Sequence, residues 1–190
     1  MDTLHFDLTE NATRRYILAT CKDLLGQQAQ EIESVTAGAG IPERHHHDLA
    51  EILSTIADLR GVSRRVRDDM RTIYQVLAEA EAAAHNCPVD ETHFHEVGNA
   101  EAIDCVLQIC LCIEALGPDR ITATPVQTGS GQVECAHGVL DVPTPATAAI
   151  IARGIPVCDT KLAGELCTPT SAAIIWHFVD TYQDAEGATV

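Results

Sequence analysis

Hydrophobic positions recur with helical spacing in several long segments of the chain. In residues 63–85 an apolar stripe repeats every three or four positions, which predicts an amphipathic helix with Ser63 as its N-cap. Residues 49–56 show the same spacing over a shorter length. Residues 99–116 carry so few charged side chains that we expect this helix to be buried on most sides. The pattern therefore predicts a central buried helix with an amphipathic helix packed against it.

Shorter segments predict strands between the helices. The alternation or apolar character of these segments is typical of strands, whereas residues 129–145 are rich in glycine and proline and show little periodicity. We predict strands at 3–7, 30–36, 120–126 and 155–159, and further helices at 11–25, 146–152 and 170–179. Intermixed short strands and helices indicate an α/β fold of the mixed α+β kind.

Composition and charge exclude several classes of partner. The 190 residues suit a single domain, and no segment has the roughly 20 apolar residues that cross a bilayer. The amino terminus does not resemble a secretory signal, so we expect a cytoplasmic protein with no membrane partner. A net charge of −16 opposes binding to nucleic acid. The eight cysteines are scattered without metal-site spacing and are predicted to be core side chains.

A metal site is suggested by the sequence around residues 92–96. On an extended segment His93 and His95 point to the same side, and imidazoles suit nickel, zinc, copper and iron. Glu96 could bind the metal or orient an imidazole. Two exposed loop histidines without a metal are the alternative.

Three consecutive histidines, His45, His46 and His47, stand in a segment that we predict to be a variable loop, residues 37–47. Consecutive histidines cannot all face one ion in a regular element. A loop without a site is the favoured interpretation, and a loosely ordered metal-binding loop is the alternative.

Two later segments carry further candidate chemistry. His137 lies in a loop near glycines, which allow close approach of the backbone to a ligand. Glu165 precedes a turn in which Thr168 and Thr170 could place hydroxyl and N–H groups at a helix N-terminus, a natural anion site, although a simple N-cap explains the same pattern. The GSG at 129–131 is too short to be a phosphate loop by itself.

Taken together, three motifs resemble the LarC-type nickel insertion proteins. They are HFHEVG at 93–98, GSGQVECAHGVLDVPTPATAAII at 129–151 and GELCTPTSAAII at 164–175, in the same order and with the same spacing. The likeness extends over residues 44–178, and the family also carries a histidine-rich loop of variable length where ERHHHDL stands here.

The resemblance implies a nickel chelatase, a lyase of cofactor biosynthesis. Such proteins insert Ni²⁺ into a pyridinium bis-thiocarboxylate mononucleotide to give the pincer cofactor of lactate racemase, and they consume CTP, with Mg²⁺ or Mn²⁺ as its companion ion. By resemblance, the metal is held by His93, His95, Glu96 and His137. By resemblance, the substrate pocket is lined by Gly129, Gly131, Glu165, Thr168 and Thr170.

The chain departs from the family pattern at its beginning. Family members have a glycine-rich turn, Ser-Gly-x-Ser-Gly-Asp-Met, after the first strand, where this chain has ENATRRY at 10–16. Without glycines the turn cannot bring its backbone N–H groups as close to a ligand. After HFHEVG the second family carboxylate is displaced to Asp104.

We expect residues 1–190 to form a single domain that resembles the family's amino-terminal domain only, with the carboxy-terminal CTP-binding domain absent. Activity would then need a separately encoded carboxy-terminal partner, and a homo-oligomer remains open. A non-catalytic nickel-binding or scaffold protein is the alternative, and an unrelated metal-dependent hydrolase is a third possibility.

Overall fold

A computed structural model of the chain describes residues 1–94, 97–136, 138–184 and 186–190. Its helices are α1 (Arg14–Leu25), α2 (Ala29–Gly38), α3 (Leu49–Asp58), α4 (Arg64–His85), α5 (Ala100–Leu116), α6 (Pro145–Ile151) and α7 (Pro169–Phe178). Its strands are β1 (Thr3–Phe6), β2 (Arg120–Ala123), β3 (Gly129–Ser130), β4 (Gln132–Cys135), β5 (Gly138–Asp141), β6 (Gly164–Glu165) and β7 (Thr181–Tyr182). The predicted mixed α/β fold is confirmed.

A small parallel sheet forms one edge of the molecule, in the order β1-β2-β7. Leu4 of β1 lies opposite Ile121 of β2, and both side chains are buried. Parallel strands need crossover connections, and the helices between β1 and β2 provide one. Two antiparallel pairs, β3 with β6 and β4 with β5, lie outside this sheet.

Helix α5 is the centre of the helical layer, as the sequence predicts. It contacts α1, α2 and α4, and its buried residues cover most of its circumference. Asn99 caps its start, since the Asn99 side chain accepts a hydrogen bond from the backbone N–H of Ala102 at 2.8 Å. Helix α4 packs its apolar stripe against α5, α6 and α7, and Ser63 is its N-cap.

The predicted strand at 30–36 is wrong, because this segment is part of α2. Ile32 and Thr36 are one helical turn apart and are both buried on the face that meets α5. The Thr36 hydroxyl donates a hydrogen bond to the Ile32 carbonyl at 2.7 Å, a bond that a threonine makes within a helix. The alternation of polar and β-branched residues favours a strand, but the burial of Ile32 and Thr36, four positions apart, favours the helix.

The predicted strand at 155–159 is also wrong. Only Val157 forms a bridge there, with Val126, among the described residues. Conversely, the segment 129–141, in which the sequence indicates no regular element, forms β3, β4 and β5. Strands of two to four residues are too short for an alternation to be recognised in the sequence.

Two charged side chains near the start of α4 bond to neighbouring segments. The Arg67 side chain donates to the Leu59 carbonyl, and Asp69 accepts a hydrogen bond from the His177 ring at 2.9 Å. Both of these α4 side chains are partly buried, so this end of the helix is tied to its neighbours. In the part of the chain that the structure describes, no helix combines the length and the apolar character needed to span a membrane.

Candidate functional site

A cavity of about 260 Å³ lies where the carboxyl end of α4 meets the amino ends of α1, α6 and α7. The β4–β5 hairpin and β6 complete its wall. Its volume is just below the roughly 300–1,000 Å³ that ligand sites occupy, which suits part of a small molecule. The described lining residues are Arg14, Glu81, Ala84, His85, Val97, Val133, Glu134, Cys135, Leu140, Thr144, Pro145, Ala146, Glu165, Thr168, Pro169 and Thr170.

The amino end of α7 supplies one wall of the cavity. Thr168 caps the helix in a reciprocal arrangement: its hydroxyl accepts from the Ser171 N–H at 3.3 Å, and its own N–H donates to the Ser171 hydroxyl at 2.9 Å. Proline at the first helical position favours this start, since its missing N–H is not needed there. Thr168 is therefore a structural cap and a lining residue at once.

Glu165 reaches the cavity through a close pairing of two short strands. Gly129 lies opposite Glu165 in the β3–β6 pair. A side chain at Gly129 would clash with the backbone oxygen of Gly164, and its φ of +84° also favours glycine. The Gly129 N–H donates to the side chain of buried Gln127 at 3.0 Å. Gly129 thus supports the strand that carries Glu165.

Gly131 lies in the turn between β3 and β4, where its φ is +99° and its carbonyl accepts from the Val142 N–H at 2.9 Å. Neither Gly131 nor Gly129 is among the described lining residues, whereas Glu165, Thr168 and Thr170 are. A substrate-binding role for all five residues stays a prediction.

The turn between β1 and α1 is closed by its own side chains. The Asn11 carboxamide accepts from both the N–H and the hydroxyl of Thr13, at 2.9 and 2.8 Å. The Thr13 hydroxyl caps α1 by accepting from the Tyr16 N–H, and the Ala12 N–H donates to the Leu166 carbonyl at 2.9 Å. These three backbone N–H groups are therefore used within the fold.

The histidine loop is held against the HFHEVG segment by hydrogen bonds, and its predicted variability stays a prediction. His46 is fully buried: its Nδ1 donates to the Gly98 carbonyl at 3.1 Å, and its Nε2 shares a hydrogen bond with the Thr55 hydroxyl at 2.8 Å. Because a carbonyl oxygen can only accept, the Gly98 contact requires a proton on Nδ1. The His45 ring donates to the Phe94 carbonyl at 2.7 Å, and the Phe94 N–H donates to the His47 carbonyl at 2.8 Å.

The same segment is also fixed from the side of α4. The Tyr74 hydroxyl donates to the Val97 carbonyl at 3.3 Å, and its ring meets Phe94 edge to face with centroids 6.3 Å apart. Complete burial raises the pKa of Tyr74, so this hydroxyl stays protonated and remains a donor. The backbone is thus held on both sides of residues 95 and 96.

The predicted metal residues fall partly outside the described chain. His93 is exposed, whereas His95, Glu96 and His137 lie outside the described residues. Their neighbours in sequence do line the cavity: Val97 follows residues 95 and 96, and Cys135 lies two positions before residue 137. Within residues 1–94, 97–136, 138–184 and 186–190, no three His, Cys, Asp or Glu side chains are placed to share a metal ion.

Acidic groups dominate the described lining of the cavity. Glu81, Glu134 and Glu165 contribute carboxylates, and Arg14 contributes a guanidinium. Glu101 of α5 is exposed and accepts a hydrogen bond from Arg15 at 2.6 Å. That hydrogen bond, with the charge of Arg15, lowers the pKa of Glu101. Glu101 therefore pairs with the start of α1.

Sequence reasoning missed Arg14, Glu81 and His85 as lining residues. The signal for the α4 residues is weak, because Glu81 and His85 belong to an ordinary amphipathic helix whose last turn happens to end at the cavity. Arg14 directly follows the threonine N-cap of α1, the first helix after β1, and the amino end of a helix after a strand is a common ligand position. That positional signal could have identified it.

Comparison with known proteins identifies the family to which the chain belongs. A sequence model of the nickel insertion protein family matches residues 8–190. The chain therefore belongs to the nickel insertion protein family. No solved structure matches it.

Curated relatives match over most of this chain but over a smaller share of their own length. A putative nickel insertion protein of Dictyoglomus thermophilum is 44% identical over 135 residues, which cover 71% of this chain and 35% of the relative. A pyridinium-3,5-bisthiocarboxylic acid mononucleotide nickel insertion protein of Staphylococcus saprophyticus is 37% identical over 146 residues, 77% of this chain and 37% of the relative. One of the same name from Staphylococcus epidermidis is 32% identical over 161 residues, with shares of 85% and 40%.

Proposed function

We propose that this chain takes part in inserting nickel into a pyridinium-3,5-bisthiocarboxylic acid mononucleotide, and that the cavity holds the ring of that nucleotide with its substituents. The convergence of three separate motifs on one cavity carries the proposal. Val97 comes from the HFHEVG motif, Cys135 from the second motif, and Thr168 from the third. Segments far apart in sequence meet there, as they do at ligand sites.

The chemistry of the cavity suits a cationic ring and a divalent metal. The carboxylates of Glu81, Glu134 and Glu165 favour positive charge by simple attraction. We propose that His93, His95, Glu96 and His137 bind the nickel ion next to the nucleotide. Neutral imidazoles with a carboxylate form a donor set that prefers nickel to magnesium. The product would be the nickel pincer cofactor of lactate racemase.

The chain spans between about a third and two fifths of the length of the curated relatives that it matches. We propose that residues 1–190 bind metal and mononucleotide, and that the CTP-dependent part of the reaction, with its Mg²⁺ or Mn²⁺, belongs to a carboxy-terminal region or partner. A scaffold that binds nickel without performing the insertion is the competing function. The turn at 10–16 favours it because three of its N–H groups already bond to other groups of the protein.

A reconstituted insertion assay tests the proposal. Purified protein is mixed with Ni²⁺, the metal-free mononucleotide and CTP, with or without the carboxy-terminal region of a relative, and product is detected by mass spectrometry. We expect nickelated product only when that region is added. Nickel and nucleotide binding without product in either mixture would favour the scaffold. No binding of either would refute the proposal.

The metal ligands are tested by calorimetric titration of Ni²⁺. A His93→Ala, His95→Ala double variant should lose at least tenfold in affinity, since an imidazole lost from a metal site leaves it undercoordinated. Mutation of His47, a neighbouring histidine outside the four predicted ligands, to alanine is the control and should change affinity less than twofold. The opposite ranking of the two variants would assign nickel to the histidine loop.

A further inference from the structure

We propose that Arg14 forms an anion subsite at the α1 end of the cavity and binds a negatively charged group of the substrate, either a phosphate or a thiocarboxylate. The proposal rests on the function proposed above for its substrate class. It assigns this role to a residue that stands where family members have a glycine-rich turn.

The first observation concerns the position of Arg14. It is the first residue of α1 and lines the cavity, with 22% of its side chain exposed. Arg15, the next residue, is 78% exposed and is not among the described lining residues. Two adjacent arginines therefore have different surroundings.

The second observation is how these arginines share one carboxylate. The Oε1 atom of Glu101 lies 2.6 Å from the Nη2 atom of Arg15 but 3.7 Å from the Nη2 atom of Arg14. The shorter distance is a hydrogen bond and the longer one is not. Arg15 thus holds Glu101 by a hydrogen bond, whereas Arg14 makes only a longer ion pair with the same carboxylate. The guanidinium of Arg14 therefore keeps hydrogen-bond donors for a ligand in the cavity.

The third observation is that the turn before α1 has other uses for its backbone donors. The N–H groups of Ala12, Thr13 and Tyr16 bond to Leu166, to Asn11 and to the cap at Thr13. A glycine-rich turn can offer such N–H groups to an anion. Here the guanidinium of Arg14 takes over the role of donor.

The negative charge of the chain and of its cavity means that an anionic substrate group needs such a donor. The whole chain carries a net charge of −16, and three glutamates line the cavity. The substrate named in the relatives combines a pyridinium cation with two thiocarboxylates and a phosphate. The glutamates suit the cation and repel the anions, so the anionic end of the substrate needs a local cation. Arginine offers this as a planar fork that binds a phosphate or carboxylate through two hydrogen bonds.

Calorimetric titration of the full chain with the metal-free mononucleotide tests the subsite. Arg14→Gln should raise the dissociation constant about tenfold or more, because a charge-assisted pair is lost. Arg14→Lys should fall between wild type and Arg14→Gln, since lysine keeps the charge without the fork. Arg65→Gln, at an exposed arginine of α4 that is not among the described lining residues, is the control and should stay within twofold of wild type. Nickel affinity should be unchanged in all three variants.

The dephosphorylated nucleoside identifies the anionic group. If Arg14 binds the phosphate, the nucleoside binds wild type weakly and Arg14→Gln weakens it no further. If Arg14 binds a thiocarboxylate, Arg14→Gln weakens nucleoside and nucleotide by the same factor. Either pattern supports the subsite.

Equal losses in Arg14→Gln and Arg65→Gln, or no loss in Arg14→Gln, would overturn the subsite. Arg14→Lys provides the test should Arg14→Gln fail to fold. If wild type does not bind the mononucleotide, the proposed function fails separately, and titration with inorganic phosphate and with pyridine-3,5-dicarboxylate then decides. Binding of either anion that is lost in Arg14→Gln supports the subsite, and binding of neither overturns it.

Discussion

The imidazole of His46 joins parts of the chain that are 52 residues apart in sequence. It is fully buried between the Gly98 carbonyl and the Thr55 hydroxyl, with a hydrogen bond to each. A run of three histidines gives no sign of this arrangement, because the partners are set by tertiary contacts. Its structural role follows from burial with both ring nitrogens satisfied.

We expect His46→Ala to lower the free energy of unfolding by about 2–4 kcal/mol, since it removes two hydrogen bonds and leaves a small cavity. His46→Asn keeps a donor near the position of Nδ1 and should lose about half as much. Urea unfolding measures both variants. A loss under about 0.5 kcal/mol in His46→Ala would show that the loop is not needed for folding.

Gly98 allows the histidine loop to approach the HFHEVG segment. A side chain there would clash with the His46 backbone oxygen, which cannot move aside as a flexible side chain does. Gly98→Ala should therefore cost about 3 kcal/mol or more of unfolding free energy. Gly38→Ala, at the end of α2 with no atom within 4 Å, is the matched control and should be neutral or stabilising. Equal effects in the two variants would refute the close approach.

At the scale of residues, sequence motifs alone predict part of the cavity lining. Glu165, Thr168 and Thr170 stand in one motif and line one cavity, so a local pattern was enough to find them. Arg14 lines the same cavity but lies outside the three motifs. Its role depends on the side chains that close its own turn, and no motif describes these.

At the scale of elements, long periodic helices were predictable and short strands were not. Helices α4 and α5 were found within one or two residues because burial repeats over several turns. The strands β3 and β6 contain two residues each, and β6 exists only because β3 pairs with it. Such strands depend on contacts between distant segments, which a single stretch of sequence does not encode.

Ser63, the N-cap of α4, joins this helix to α5. The Ser63 hydroxyl accepts from the Val66 N–H at 3.1 Å and donates to the Glu114 carboxylate on α5 at 2.6 Å. Ser63→Ala should lower the free energy of unfolding by about 1–2 kcal/mol, since it removes a cap and a charge-assisted bond.

Ser54→Ala is the control for this substitution, because Ser54 is an exposed serine within α3. It should change the free energy of unfolding by less than about 0.5 kcal/mol in either direction. The same urea titrations measure both serine variants. If the two lose equally, Ser63 does not link α4 to α5.

At the scale of the whole molecule, buried thiols make stability depend on pH on the alkaline side. Burial raises the pKa of Cys21 and of Cys167 to about 12, from an ordinary value of 9.0. In the unfolded chain these thiols lose their protons near pH 9, whereas the folded chain retains them up to about pH 12. The stabilisation is therefore complete below pH 9 and declines as pH rises toward 12.

We expect the free energy of unfolding to fall above pH 9, each thiol contributing a slope of up to about 1.4 kcal/mol per pH unit. Urea unfolding between pH 7.5 and 10.5 measures the slope. Cys167→Ala should show a shallower decline than wild type, whatever its stability at neutral pH. An identical slope in the two proteins would mean that Cys167 ionises in the folded chain as readily as in the unfolded one.

We propose that the cavity between α1, α4, α6 and α7 holds the mononucleotide. Obstruction of this cavity tests the proposal most directly. Ala84 is an exposed residue of α4 that lines the cavity, and Ala83 is its exposed neighbour, which is not among the described lining residues. Calorimetric titration with the mononucleotide compares wild type, Ala84→Phe and Ala83→Phe. We predict binding at least tenfold weaker in Ala84→Phe and within twofold of wild type in Ala83→Phe. Wild-type affinity in Ala84→Phe would place the nucleotide elsewhere and contradict the account.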